Sequence, residues 1–368
     1  MANILVSGYY GFHNAGDEAI LAGMIRALRD LEPDARFTVI SGTAAQTRAM
    51  HGVNAVSRGD FKNIWRAMGR ADLFVSGGGS LLQDITSSKS LTYYLALLTM
   101  ARLRRRPIMF YAQGIGPVTR ALSRAMIPPV VNGVNLITTR DAEAAATFRH
   151  LGVSRPPIQV TADPALALGP ADPERGAIYL REAGADLSRP IIGVSVRRWH
   201  QWKEPAEPGL ARALDQLARE SGAQVVFIPM MRKADVEAAE GVAALMETPA
   251  VLARAEYTWD QVHAMVARCS LLIGMRYHAL VFAAMNGVPL VGLSYDPKNE
   301  AFLRQIGESV AGATNLLDPD AVVAAGRRGL ADADATRRQL LAKIAELTPL
   351  SRENARLAID LLKRRETP

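Results

Sequence analysis

An arginine and a histidine interrupt an apolar run at Leu271-Leu-Ile-Gly-Met-Arg-Tyr-His-Ala-Leu-Val-Phe-Ala-Ala284. The run reads as a buried strand, a turn after Gly274 and a helix. The apolar residues account for a fold; Arg276 and His278 need another reason. The junction of a strand end and a helix N-terminus is where α/β proteins place anion-binding groups. Other cations fall at equivalent places: Arg197 after the strand 191–196, Lys298 after the strand 289–294, and Arg140 after the strand 136–139. Clustered cations at strand ends suit a small, multiply anionic ligand. Each has a plainer alternative. Arg140 can pair with Asp141 or Glu143, Lys298 can be a solvated lysine, and His278 can be a core histidine.

Two glycine-bearing segments add polar groups. Gly8-Tyr-Tyr-Gly-Phe-His-Asn-Ala-Gly-Asp-Glu18 follows the first strand. Its glycines have neither the dinucleotide spacing nor a following Gly-Lys-Ser/Thr, so it is no nucleotide fingerprint. Asn14 and Asp17 suit helix capping, and Asp17 and Glu18 suit the positive helix end. A loop that also carries His13 holds more than a cap requires. Gly77-Gly-Gly-Ser80 closes another strand, and its backbone at Gly78 and Gly79 can approach a ligand closely. Trp199 and Trp202 flank His200 and could pack on a sugar ring or merely cover a core edge.

The elements that position these groups alternate. Apolar strands near 3–8, 37–41, 72–76, 107–117 (ending in Gly114, Gly116 and Pro117) and 136–139, with a closing segment 159–164, are separated by helical segments. After a Gly/Pro/Ala/Asp-rich stretch at 165–189, read as a linker, strands restart at 191–196, 224–229, 271–274 and 289–294. The expectation is two doubly wound Rossmann-like domains in a GT-B-like arrangement, with the active site in an interdomain cleft. The expected domains are 1–170, basic and on the acceptor side, and 185–335 on the donor side. A helical tail follows at 336–368.

A chain of 368 residues, 49% hydrophobic, can build two cores. The single cysteine, Cys269, excludes an internal disulfide and fits a reducing compartment. The start, Met-Ala-Asn-Ile-Leu-Val, reads as a strand and lacks a signal peptide's basic region. The uncharged stretch 90–101 is too short to span a bilayer. A cytoplasmic protein is expected. The net charge of +7 is uneven: residues 1–175 hold 19 Lys/Arg against 13 Asp/Glu. The run Arg102, Arg104, Arg105, Arg106 either solvates a helix end or attracts an anionic partner. No nucleic-acid motif is present, and the cations are not read as interleaved with aromatics along a groove. No His/Cys/carboxylate spacing points to a metal.

Taken in order, the motifs resemble the polysaccharide pyruvyl transferases, in particular their CsaB-like branch. The resemblance spans about residues 3–300. It rests on Gly8–Glu18, Ser76-Gly-Gly-Gly-Ser80, Gln113-Gly-Ile-Gly-Pro117, Arg140-Asp141, Ala162-Asp-Pro164, Arg276-Tyr-His278 and Tyr295-Asp-Pro-Lys298. It implies a GT-B-like fold, phosphoenolpyruvate as co-substrate with no cofactor, and a pyruvate ketal closed across two sugar hydroxyls. The branch is linked to N-acetylmannosamine of a cell-wall polysaccharide that anchors S-layer proteins. Its acceptor would be a lipid-linked precursor met at the inner face of the plasma membrane. By resemblance, Arg140, Arg276 and Lys298 bind donor anions, with Arg197 behind them, and His278 contacts phosphate or acts as the acid. Asp17 is the candidate base, followed by Glu18 and His13. Asn14, Gly78, Gly79, Trp199 and Trp202 are candidate acceptor contacts.

Two other functions fit the same residues. A GT-B glycosyltransferase with a nucleotide-sugar donor would want a ribose-binding carboxylate, for which Asp296 or Glu300 would serve. A non-catalytic sugar-phosphate sensor would bind without turnover.

Overall fold

Alternate residues of the first-half strands belong to opposite cores. Leu5, Phe74, Ile108 and Phe110 face one cluster, while Ile4, Val6, Leu73, Val75 and Met109 face the other. A strand buried on both faces cannot alternate with polar residues, which explains the continuous apolar runs and the parallel pairing. The structure is a computed structural model and describes residues 2–85, 88–198, 206–294, 296–312 and 316–363. The chain divides into two units. One comprises Met1–Phe12, Asp17–Leu168 and Leu347–Pro368; the other comprises His13–Gly16 and Gly169–Glu346.

The first unit holds β1 (Asn3–Ser7), β2 (Arg36–Ser41), β3 (Asn54–Ser57), β4 (Leu73–Ser76), β5 (Gly79–Leu82), β6 (Ile108–Phe110), β7 (Gln113–Ile115), β8 (Leu136–Thr139) and β9 (Ile158–Val160). Its main sheet runs β3-β2-β1-β4-β6-β8-β9, and all neighbouring strands in it pair parallel. β5 and β7 form a separate parallel pair. Part of the Gly77–Ser80 segment, read from sequence as a ligand loop, is therefore strand from Gly79 onward.

The second unit holds β10 (Ile191–Ser195), β11 (Gln224–Phe227), β12 (Ala250–Leu252), β13 (Leu271–Gly274) and β14 (Leu290–Gly292), ordered β12-β11-β10-β13-β14 and all parallel. Both units are thus doubly wound α/β sheets of the Rossmann-like, GT-B type. The stretch read as a linker contains a helix, Pro173–Glu182, that the Pro and Gly around it obscured. Asp172 caps it by accepting from the Glu174 N–H at 2.9 Å, and Pro173 opens its first turn.

The long helix Ala333–Lys363 is divided, with its residues from Leu347 onward counted in the first unit. There Ala355, Ala358 and Ile359 complete a core with Val6, Val39 and Val75. The buried Asn354 accepts from the hydroxyls of Thr138 (2.5 Å) and Thr161 (2.8 Å), which pins the helix to the ends of β8 and β9.

Candidate functional site

In the second unit the sheet order reverses direction between β10 and β13. Chains leaving those two strands turn away on opposite sides, which opens the crevice where doubly wound sheets bind ligands. The Met275 N–H donates to the Ser195 carbonyl at 2.8 Å, so the two strand ends are tied together there. Arg197 follows β10, and Arg276, Tyr277 and His278 follow β13. Lys298 follows the neighbouring β14 in the first turn of the helix Pro297–Gln305. Arg197, Arg276, His278 and Lys298 thus all follow the carboxyl-terminal ends of strands of one sheet, and Arg140 follows a strand of the other.

Arg276 is almost buried and bound to a carboxylate. Its Nε donates to Asp235 Oδ2 at 2.9 Å, and its Nη2 bonds Asp235 Oδ1. Asp235, 1% exposed, also accepts from the N–H groups of Met230 (3.0 Å) and Met231 (2.9 Å). One carboxylate therefore locks the guanidinium and the loop beyond β11 into a single arrangement. Sequence reasoning missed Asp235. It lies 41 positions from Arg276, inside a segment that reads as loop, and only the parallel crossover brings the two together. Asn299 was also missed. It is fully buried and donates to the carbonyls of Met275 (2.6 Å) and Leu293 (3.4 Å), holding the ends of β13 and β14 in register.

Tyr277 opens the helix Tyr277–Met285, and no side chain caps that helix at Arg276. Its N-terminal dipole and backbone N–H groups favour an anion at this spot. The His278 ring packs edge-on against Tyr277, at 5.0 Å between centroids. Lys298 Nζ lies 3.0 Å from Asp296 Oδ2, and Asp296 also accepts from the Lys298 N–H at 3.1 Å. Glu300 accepts from the Ser294 hydroxyl at 2.8 Å. Trp199, Trp202 and Tyr295 lie outside the described residues.

The segment His13–Gly16 belongs to this second unit. Asn14 forms an antiparallel bridge with Met231, and the Ala15 N–H donates to the Met230 carbonyl at 2.8 Å. Asn14 Oδ1 accepts from the Gly16 N–H at 3.1 Å, a local cap. His13 holds a left-handed backbone, φ 58°, and its Nδ1 is 2.5 Å from Glu256 Oε1. A Cβ at Gly16 would meet the His278 ring, so glycine here makes room for the imidazole.

In the first unit the order reverses between β1 and β4. The loop of Gly8–Phe12 leaves β1, and Gly77-Gly78 leaves β4. The fully buried Tyr10 ring fills the space that side chains at Gly8 and Gly77 would need. Burial, reinforced by the nearby Asp17 and Glu18 charges, pushes the Tyr10 phenol well above its ordinary range, so it stays neutral. Gly78 packs on Ile20, and Gly79, at φ 89°, faces Asp17: a Cβ there would sit 3.3 Å from Oδ1. Asp17 is half-buried, whereas Glu18 is buried, accepts from the Gly11 N–H at 2.7 Å and pairs with His51 at 2.8 Å.

Arg140 is 3% exposed and flanked by two carboxylates, Asp141 and Asp163, each at 3.6 Å. It also donates to the Ser80 hydroxyl at 3.4 Å. The plainer alternative, pairing with Asp141, is therefore part of its environment. Among the described residues, no group of three or more His, Cys, Asp or Glu side chains is arranged to hold a metal ion.

The fold has wide company. The UDP-GlcNAc 2-epimerase from Neisseria meningitidis, solved with UDP-GlcNAc, superposes with a TM-score of 0.64 at 10% identity, covering 98% of this chain and 100% of that one. HepE from Anabaena, solved with UDP-glucose, gives 0.65 at 14% identity over 99% and 100%. MnaA from S. aureus, solved with UDP, gives 0.64 at 13% identity over 95% and 92%. At such identities the likeness is one of fold. No curated protein sequence matches the chain. The sequence model of the polysaccharide pyruvyl transferases does match, over residues 14–297, a span that includes the Asn14–Gly16 segment, Arg140, Arg276, His278 and Asp296. The chain belongs to the polysaccharide pyruvyl transferase family.

Proposed function

We propose that this protein transfers pyruvate from phosphoenolpyruvate to a sugar, closing a ketal across two hydroxyls and releasing phosphate. The observation that carries the donor assignment is the edge of the second sheet. There Arg276 and His278 stand at the N-terminus of the helix Tyr277–Met285, which the Arg276 side chain does not cap, and Lys298 follows the neighbouring strand. Phosphoenolpyruvate carries a carboxylate and a phosphate on three carbons, so it needs several donors in a small space. Asp235 orients the Arg276 guanidinium for such a planar, bidentate contact.

In the reaction the methylene carbon gains a proton and positive character develops at the adjacent carbon. One hydroxyl attacks that carbon, the bond to the phosphate oxygen breaks, and the second hydroxyl closes the ring. Of the two hydroxyl protons, one balances the new methyl group and the other leaves with phosphate. His278 is assigned the proton donation or the phosphate contact, and Asp17 takes a hydroxyl proton. Arg197 and Arg140 support donor binding. Arg140, compensated by Asp141 and Asp163, acts chiefly by fixing the strand ends around it. Asn14, Gly78, Gly79, Trp199 and Trp202 are assigned to the acceptor. In a CsaB-like setting that acceptor is N-acetylmannosamine of a lipid-linked cell-wall precursor.

The alternative is a nucleotide-sugar donor, favoured by the UDP and UDP-sugars bound in structures of similar fold. Both carboxylates offered for a ribose are engaged, Asp296 by Lys298 and Glu300 by Ser294. The test supplies purified protein with phosphoenolpyruvate and an N-acetylmannosamine-containing acceptor, and follows phosphate release and product mass. A product heavier by one pyruvyl ketal is expected. Release of nucleoside diphosphate from a nucleotide sugar, with none of phosphate from phosphoenolpyruvate, would reverse the assignment.

A further inference from the structure

The helix Phe61–Arg70 buries Ile64 and Met68 and turns its other side outward. On that side Phe61 (49% exposed) and Trp65 (38% exposed) stand one turn apart. Beside them Lys62, Arg66 and Arg70, also one turn apart, are exposed. The end of the helix Ser88–Leu103 extends the same face. Arg104 stacks its guanidinium 4.5 Å from the Trp65 ring, and Arg106 donates to the carbonyls of Gly69 and Ala71 at 3.0 Å each. Leu103, 68% exposed, ends that helix, with exposed Arg102 and Arg105 on either side of it in the chain. Behind it Arg102, Arg105, Arg106, Pro107 and Asn135 line a pocket of about 300 Å³.

From position 61 to 106 there are eight lysines and arginines and two aspartates. Asp60, one residue before that stretch, caps the helix by accepting from the Asn63 N–H at 3.0 Å and offsets part of the Lys62 and Arg66 charge, while Asp72 accepts from the Asn3 N–H and Asp84 is buried, accepting from the N–H groups of Thr119 and Arg120, so the face keeps a large positive excess. On this helix Phe61 and Trp65 stand beside Lys62 and Arg66, on an outward helix face rather than along a groove. The basic run at 102–106 does more than solvate a helix end.

We propose that this face docks on an anionic lipid membrane. Exposed aromatic and leucine side chains ringed by cations match a headgroup layer, where the rings and Leu103 enter the acyl boundary and the cations meet lipid phosphates. The pocket of Arg102, Arg105 and Arg106 takes one such phosphate. The surface is the outward side of helices, and its apolar members project rather than line a track, which favours a bilayer over a nucleic-acid strand. For its purpose the proposal rests on the reading of a lipid-linked acceptor, because docking would bring the enzyme to that substrate.

Flotation of the full-length protein with vesicles tests it without reference to turnover. Binding is expected to phosphatidylcholine vesicles containing phosphatidylglycerol, not to phosphatidylcholine alone, and to weaken with added salt. Replacing Lys62, Arg66 and Arg70 together by glutamate should weaken binding on the order of a hundredfold. Trp65→Ala with Leu103→Ala should weaken it at high salt, where the apolar contribution dominates. Phosphate release with a water-soluble acceptor should stay within about twofold of wild type in both variants. Equal flotation of wild type and the triple variant overturns the proposal. So does binding of an oligonucleotide, or self-association lost in the triple variant, in place of vesicle binding. Vesicle binding without any pyruvyl transfer would instead sink the proposed reaction and leave the docking face standing.

Discussion

A Cβ built on Gly16 would stand 2.2 Å from Nδ1 of His278, so the imidazole occupies the space a side chain at position 16 would need. The ring position is thus fixed from two directions: by the helix Tyr277–Met285, on which it sits, and by the backbone of His13–Gly16. The prediction is that Gly16→Ala pushes the ring aside and lowers kcat by about 10²–10⁴-fold, the range of positioned acid–base catalysis. Alanine in a helix is otherwise favoured over glycine, so global unfolding is not the expected cause. Gly16→Ala combined with His278→Ala should be no slower than His278→Ala alone. Steady-state phosphate release across the three variants decides the matter; normal turnover in Gly16→Ala would detach His278 from the chemistry.

Asp235 and Arg276 form a buried pair in which the carboxylate also carries two backbone N–H groups. Removing one partner leaves a charge uncompensated in the interior, which typically costs about 3–5 kcal/mol. Asp235→Asn is therefore predicted to lower the urea midpoint strongly and to raise KM for phosphoenolpyruvate as the guanidinium loses its orientation. Arg276→Lys should keep the charge and lose the bidentate geometry. Denaturation curves alongside KM measurements separate the two effects. An unchanged KM in folded Arg276→Lys would remove Arg276 from donor binding.

His263 is 3% exposed, and its ring stacks on Phe282 at 4.5 Å between centroids. Its Nε2 has no hydrogen-bond partner among the described residues. Burial pushes its pKa down from 6.5 to about 4, against a smaller upward pull from Asp260. Above pH 6.5 the ring is neutral in both folded and unfolded chains and adds no pH dependence. Between pH 6.5 and 4 the unfolded chain takes up a proton that the folded chain refuses, so stability rises with pH in this window. The loss on acidification through it is about 3 kcal/mol at 1.36 kcal/mol per unit. His263→Phe should flatten the stability profile between pH 4 and 6.5 and leave it unchanged above. Parallel slopes in the two proteins would show that His263 is not responsible.

Much of this architecture was legible because parallel strands buried on both faces must be continuous apolar runs. Ile191–Ser195 and Leu271–Gly274 announce themselves in that way, and so do the cations that follow them. What was not legible depends on partners distant in the chain. Nothing local marks Asp235 as the partner of Arg276, or Asn299 as the brace between two strand ends. The helix Pro173–Glu182 was hidden because Pro and Gly near it signal a linker, although Asp172 and Pro173 are also a sound helix start. The glycine-bearing loops at Gly8–Glu18 and Gly77–Ser80 read as more than turns, and what the sequence does not show is that Gly8 and Gly77 accommodate the Tyr10 ring. A glycine's reason is the atom that would collide with its Cβ, and that atom belongs to the tertiary structure.

The helix Ala333–Lys363 leaves the first unit dependent on residues made after the whole of the second. Without Asn354, Ala355, Ala358 and Ile359, the Thr138 and Thr161 hydroxyls lose their shared acceptor and the core that the helix Ala15–Leu31 builds on one face of the first sheet stays incomplete. On the ribosome the order of completion is therefore inverted. Residues Gly169–Glu346 can close their own core while the earlier-made half waits with part of its core unfilled, a natural station for a chaperone.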